Sequence, residues 1–267
     1  MAEQMSPSGK LIMGKEGPVT TIILNRPEAH NALDRELSQE LNDAMKEVNI
    51  DRECRVLVLT GAGNTFCAGD DLKEFNDWKP QDAQWQVRLY QETVKLLENL
   101  VPVTVAVVDG VCTGGGLELT LVSDFVVATP RSRWGMPEIN WDITPGWGGT
   151  AKIAKYAGRR KAKEWNLLGT LFSAEKAERY DLVNRLVEPE DLEREVNALI
   201  EILLSKDPTA MHCTKYFLDH GADLDYADVM AFEGAPQRKP FGQGIKDFVE
   251  RDSRDERRKL LDGFWFD

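Results

Sequence analysis

Histidine and cysteine are scarce in this 267-residue chain, with three of the first and four of the second. His30, His212 and His220 do not fall as a pair on one helical face, and Cys54, Cys67, Cys112 and Cys213 contain no CxxC pair, so a zinc motif is excluded and no metal is expected. Four cysteines are also too few for the disulfide framework of a small secreted domain; reduced thiols in a cytoplasmic protein are expected. Positive charge is short as well: 33 Lys and Arg stand against 45 Asp and Glu, a formal net charge of -12. Broad binding to nucleic-acid phosphates needs the opposite surplus, so nucleic acid is not an expected partner and any anionic ligand must meet a local basic cluster. No apolar run is long enough to span a bilayer, and "MAEQMSPSGK" at the start lacks the apolar core of a secretory signal or the Arg-rich pattern of a transit peptide. Linkers rich in Gly, Ser or Pro, low-complexity tracts and repeats at solenoid periods are absent too. What remains is 42% hydrophobic and 29% charged residues, the balance of a soluble globule.

Strand and helix patterns alternate through the first half. "VTTIILN" (19–25) is a β-branched run, after which Asp34 can cap a helix with Leu37, Leu41, Ala44, Met45 and Val48 on one face. "RVLVLTG" (55–61) repeats the strand pattern; an acidic loop and a helix over "AQWQVRLYQETVKLLENL" (83–100) follow, ending before Pro102. "VTVAVVDG" (103–110) is apolar enough to be covered on both faces, and "DFVVAT" (124–129) is a further strand. Beyond Pro145 the pattern is helical, most periodic in "EDLEREVNALIEILL" (190–204). The alternation predicts an α/β fold with helices on a largely parallel sheet, a core over residues 1–207 and a helical region over 208–267.

Chemistry concentrates around "VCTGGGLELTLVSD" (111–124). A strand leading into Gly114, Gly115 and Gly116 and then a helix places free backbone N–H groups at a helix N-terminus, a site for an anion or a developing oxyanion. The same glycines could equally serve only a tight turn or close packing. Glu118 sits among Leu117, Leu119, Leu121 and Val122, where a buried carboxylate is unusual unless paired or used. Glu138, between Pro137 and Ile139, is a second acid in an apolar setting near glycines. Two carboxylates beside N–H donors suit proton transfer next to a carbonyl. "GWGGTA" (146–151) also fits G-x-G-x-x-A, but Pro145 precedes it in place of a clear strand, so the dinucleotide-binding context is missing.

The ordered set "ILNRPEAHNALD" (23–34), "VLVLTGAGNTFCAGDDLKEF" (56–75), "VDGVCTGGGLEL" (108–119) and "MPEINWDITPGWGGT" (136–150), with a weaker match in "DFVER" (247–251), resembles the enoyl-CoA hydratase/isomerase, or crotonase, superfamily. The resemblance implies a spiral of repeated ββα units with C-terminal helices that build a homotrimer or a dimer of trimers. It implies hydration of a 2-enoyl-CoA thioester, with coenzyme A as part of the substrate and no separate cofactor. By motif match Glu118 and Glu138 are the catalytic acids, the N–H groups of Asp70 and Gly115 form the oxyanion hole, and Gly146 helps to position water. Ala29, Cys67, Ala68, Asp71 and Leu72 fall near the coenzyme A portion, with Arg26, Lys73 and Arg251 as phosphate partners.

This chain departs from the family pattern in three places. Asp70, followed by Asp71, stands where a small or apolar residue is usual. Trp147 occupies a small-residue position and, with Trp134 and Trp141, could line an acyl pocket or serve packing alone. The ending "ERDSRDERRKLLDGFWFD" differs from the family's. Other members of the superfamily are lyases on aryl-propenoyl-CoA, ring-opening hydrolases, isomerases or non-catalytic acyl-CoA binders; possession of both glutamates favours hydration.

Overall fold

The computed structural model describes residues 2–221 and 223–234. The β-branched runs become strands: β1 (Ala2–Met5), β2 (Leu11–Glu16), β3 (Val19–Leu24), β4 (Val56–Gly61), β5 (Thr65–Cys67) and β6 (Val103–Val108). β7 (Val111–Thr113), β8 (Phe125–Ala128), β9 (Arg133–Gly135), β10 (Phe172–Ser173) and β11 (Arg185–Leu186) follow. The helices are α1 (Arg35–Ile50), α2 (Leu72–Phe75), α3 (Pro80–Glu98), α4 (Gly115–Thr120), α5 (Gly149–Leu168), α6 (Ala174–Arg179), α7 (Leu192–Leu204), α8 (Pro208–Gly221) and α9 (Tyr226–Gly234).

Two sheets result, one in the order β1-β2-β3-β4-β6-β8-β11 and a smaller one in the order β10-β9-β7-β5. From β3 to β11 the first sheet is parallel, and every residue of β6 is buried, as its unbroken apolar run requires. β4, β6 and β8 each pass into a short strand of the smaller sheet, β5, β7 and β9, and then into a helix. This is the repeated ββα unit of the expected α/β fold. α1 begins as its sequence dictates: the Asp34 carboxylate accepts from the Leu37 N–H at 2.9 Å, and Leu37, Leu41, Ala44, Met45 and Val48 are buried. α3 starts at Pro80, earlier than the periodicity alone suggests, because proline suits a first helical turn and Asp82 accepts from the Lys79 N–H.

The chain divides into two compact units, Met1–Ala198 and the segment from Leu199 onward, whereas composition places the change near residue 207. Asp70, Gly115, Glu118 and Glu138 all belong to the first unit. Among the described residues no helix is long and apolar enough to cross a membrane.

Candidate active site

β5, β7 and β9 lie side by side and parallel, with Thr65 paired to Val111 and Val111 to Arg133. The chain therefore leaves all three strands at the same end. Asp70 follows β5, Gly115 follows β7 and Glu138 follows β9, so three motifs far apart in sequence open onto one place. Glycine lets the first two loops touch. Gly69 has φ +90°, and a Cβ there would lie 2.9 Å from the Thr113 carbonyl oxygen and 3.1 Å from the Gly115 nitrogen. A Cβ on Gly116 would stand 2.3 Å from the Cys67 carbonyl oxygen. The Thr113 hydroxyl, donating to the Ala68 carbonyl at 3.0 Å, ties the loops together. Among the described residues neither the Asp70 N–H nor the Gly115 N–H has a protein acceptor, which leaves a pair of donors on facing loops.

α4 is buried along its whole length, which explains the apolar run, and its one acid turns toward the start of α5. The Trp147 N–H and the Gly149 N–H donate to Glu118 Oε1 at 3.1 and 2.6 Å. Glu118 Oε2 is buried without a hydrogen-bond partner. Burial pushes the Glu118 carboxyl up to about 8; the Gly149 donor opposes the shift, and the charges of Glu138 and Asp70 add to it. Gly149 is needed for this contact, since a Cβ there would lie 2.5 Å from Glu118 Cγ. Gly149→Ala is expected to cost about 1–3 kcal/mol of stability through overpacking. Thermal melting would measure that loss.

Glu138 begins a short 3-10 turn after β9 and is buried. Its Oε2 also lacks a partner, and its Oε1 lies 3.1 Å from where a Cβ on Gly114 would be, so Gly114 (φ +54°) leaves room for it. Burial raises the Glu138 carboxyl as well. Asp70 is the third acid. Its Oδ1 accepts from the Trp147 indole N–H at 3.0 Å, and burial lifts its carboxyl to about 7 against that donor and the nearby Tyr90 hydroxyl, with the Glu138 charge adding to the rise. No cation among the described residues pairs with Asp70, Glu118 or Glu138. The site therefore holds three mutually repelling acids, and protonation relieves them.

Trp147 joins these groups: its backbone holds Glu118, its indole holds Asp70, and its ring stacks on Tyr90 with centroids 4.3 Å apart. The expectation that Trp134, Trp141 and Trp147 form one wall is corrected. Trp134 is 0% exposed in the core with its indole N–H on the Ser132 hydroxyl, and Trp141 is 49% exposed. Sequence reasoning missed Gly149 and Tyr90. The glycine pair in "GWGGT" was the available signal, because it exposes N–H groups at the head of α5.

The proposed coenzyme A residues separate into two sets. Arg26 is spent within the fold: its guanidinium donates to the Ala32 carbonyl at 2.7 Å and to Asp71 Oδ2 at 2.9 Å, with Asp34 at 3.4 Å, so its assignment as a phosphate partner is corrected. Asp71 is the other half of that pair and also caps α2 through the Lys73 N–H. Cys67 is 0% exposed, and burial lifts its thiol to about 12, so its side chain cannot line a ligand groove. Ala29, Ala68 and Leu72 are half-buried, and Lys73 is exposed at the head of α2 without an ion-pair partner among the described residues. Gly146 lies against α3, where a Cβ would meet Tyr90 and Val87 at 3.8 Å. Arg251 lies outside the described residues.

Comparison with known proteins shows the family. A model of the enoyl-CoA hydratase/isomerase family matches residues 14–256. The short-chain-enoyl-CoA hydratase of Clostridium acetobutylicum is 31% identical over 258 residues, covering 95% of this chain and 97% of that protein. The crystal structure of an enoyl-CoA hydratase of Mycobacterium smegmatis matches at a TM-score of 0.86 and 27% identity, over 90% of this chain and 96% of that one. A Thermobifida fusca protein solved in complex with acetoacetyl-CoA matches at a TM-score of 0.80 and 27% identity, over 85% and 93% of the two chains. The matched stretch runs through both glycine loops and both glutamates, and on that extent the chain belongs to the enoyl-CoA hydratase/isomerase family.

Proposed function

We propose that the protein is an enoyl-CoA hydratase that adds water across the α,β double bond of a 2-enoyl-CoA thioester. One observation carries this reading: Glu118 and Glu138 are both buried in one site, each with a carboxylate oxygen that no protein donor occupies. The N–H groups of Asp70 and Gly115 receive the thioester oxygen and stabilise the negative charge that develops there, an effect typically worth about 2.7–4 kcal/mol per donor. Glu118 orients water and takes its proton as the oxygen bonds to the β-carbon, and the adjoining Gly146 turn helps to place that water. Glu138 delivers a proton to the α-carbon. Return of the proton from Glu118 through solvent to Glu138 restores the starting state, so no separate cofactor is required. Acyl-CoA as the substrate class is supported by the name of the C. acetobutylicum relative and by the acetoacetyl-CoA bound to the T. fusca protein. Assembly as a homotrimer or a dimer of trimers is part of the same reading, supported by exposed Leu218 on α8 and exposed Tyr226 and Met230 on α9.

Loss of the conjugated enoyl-thioester absorbance of crotonyl-CoA tests the reaction. Wild type is expected to hydrate it, and Glu138→Gln to slow turnover about 10²–10⁴-fold with ester binding retained. A wild type that binds the ester without turnover would sink the hydratase reading in favour of a non-catalytic acyl-CoA binder.

A further inference from the structure

Behind Asp70 lies a buried polar cluster that proton transfer does not use. Gln86 on α3 is 0% exposed, and neither its amide nitrogen nor its amide oxygen has a partner. One helical turn on, the Tyr90 hydroxyl lies among Asp70, Gln86 and Ser38, yet meets none of them in hydrogen-bond geometry; the Ser38 hydroxyl of α1 is equally unpartnered. Buried polar groups are normally satisfied, so several orphans facing one another mark a place where something else completes the bonds. The cluster adjoins the reacting groups, because Tyr90 stacks on Trp147, and Trp147 holds both Glu118 and Asp70. Asp70 is its half-buried member, the others being buried. An alkyl chain laid here would leave the Tyr90 phenol and both ends of the Gln86 amide unpaired in a dry wall. A hydroxyl both donates and accepts, which suits phenol and amide alike.

We propose that Asp70, Tyr90 and Gln86, backed by Ser38, form a polar subsite that selects 2-enoyl-CoA thioesters whose acyl chain carries a hydroxyl at or beyond the γ-carbon. This rests on the hydratase reading and names its substrate class. The test compares 4-hydroxybut-2-enoyl-CoA with pent-2-enoyl-CoA, which differ only by hydroxyl against methyl. Wild type is expected to favour the hydroxyl ester by about 10²-fold or more in kcat/KM, since sites built to hydrogen-bond a substrate reject analogues that cannot reciprocate. In Gln86→Leu and Tyr90→Phe the ratio should fall to about 1, through loss of the hydroxyl ester and gain of the alkyl one. Thermal melting separates this from misfolding, because Gln86→Leu removes an unpaired buried amide and should hold or raise Tm. Turnover of both esters with a wild-type ratio near 1, or a ratio unmoved in the variants, would overturn the subsite and leave the cluster to buried water. Failure to hydrate even crotonyl-CoA would instead count against the hydratase reading. Calorimetric Kd values for the saturated 4-hydroxybutyryl-CoA and pentanoyl-CoA then decide the subsite: a hydroxyl preference that collapses in the variants supports it, and equal Kd values overturn it.

Discussion

Glu118→Gln is expected to lower kcat/KM about 10²–10⁴-fold, the usual cost of losing a positioned general base, the role proposed for Glu118, while making the folded protein more stable at neutral pH. Glutamine keeps the acceptor oxygen that the Trp147 and Gly149 N–H groups require, so the local structure has no cause to move. What disappears is the charge. Glu118 ordinarily ionises near 4.5, and burial holds it to about 8 in the folded chain. Its folded pKa is thus raised, so the native state binds the proton more tightly than the unfolded state. Wild type must lose stability as pH climbs from about 4.5 to about 8, at a limiting slope of about 1.4 kcal/mol per pH unit from this group, and the loss levels off above 8. Asp70 adds a loss of the same sign that ends near 7. Denaturant unfolding of wild type and Glu118→Gln from pH 5 to 9 would show the stability gap widening through this window and then becoming constant. A gap that stays flat or narrows would mean that Glu118 is ionised in the native protein throughout, and the charge repulsion argued for the site would fall with it.

Gly116→Ala should be the most damaging single methyl group in the region. The added carbon would stand 2.3 Å from the Cys67 carbonyl oxygen and 2.8 Å from Cys67 Cβ, both of them parts of a buried strand with no freedom to swing away. The loops that carry the Asp70 and Gly115 N–H groups must separate. On the oxyanion role proposed for these N–H groups, losing one donor costs about 10²–10³ in kcat, so the variant is expected to lose at least that much, with about 1–3 kcal/mol of stability from overpacking. Steady-state kinetics and a urea titration on the same preparation would separate the two losses. Near-normal kcat would show that the two N–H groups do not act together.

Much of the scaffold was legible because its signals are local. α1 could be read from Asp34 and the spacing of Leu37, Leu41, Met45 and Val48, and β6 from an unbroken β-branched run. The smaller sheet was not, since β5, β7 and β9 are three residues each and β10 is two, too short for any periodicity to register. Arg26 shows the complementary difficulty. Its charge was visible, but its ion pair with Asp71 is a contact across 45 positions of sequence that composition cannot disclose. Trp134, Trp141 and Trp147 are neighbours in sequence and end in the core, at the surface and beside the acids, because adjacent elements turn their side chains in different directions.

By themselves, the residues determined the chemistry on offer: two glutamates in apolar settings, a glycine run leading into a helix, and no histidine or cysteine grouping to compete with them. These are properties of side-chain type and nearest neighbours, which a linear chain carries complete. Only the tertiary structure decided that β5, β7 and β9 end together, bringing Asp70, Gly115 and Glu138 to Glu118, and that Trp147 and Tyr90 tie Asp70 into the same site. The reason is physical. Desolvation and charge repulsion, which lift Glu118 to about 8 and Asp70 to about 7, depend on which groups are brought within a few ångströms and cut off from water, and folding alone sets those distances.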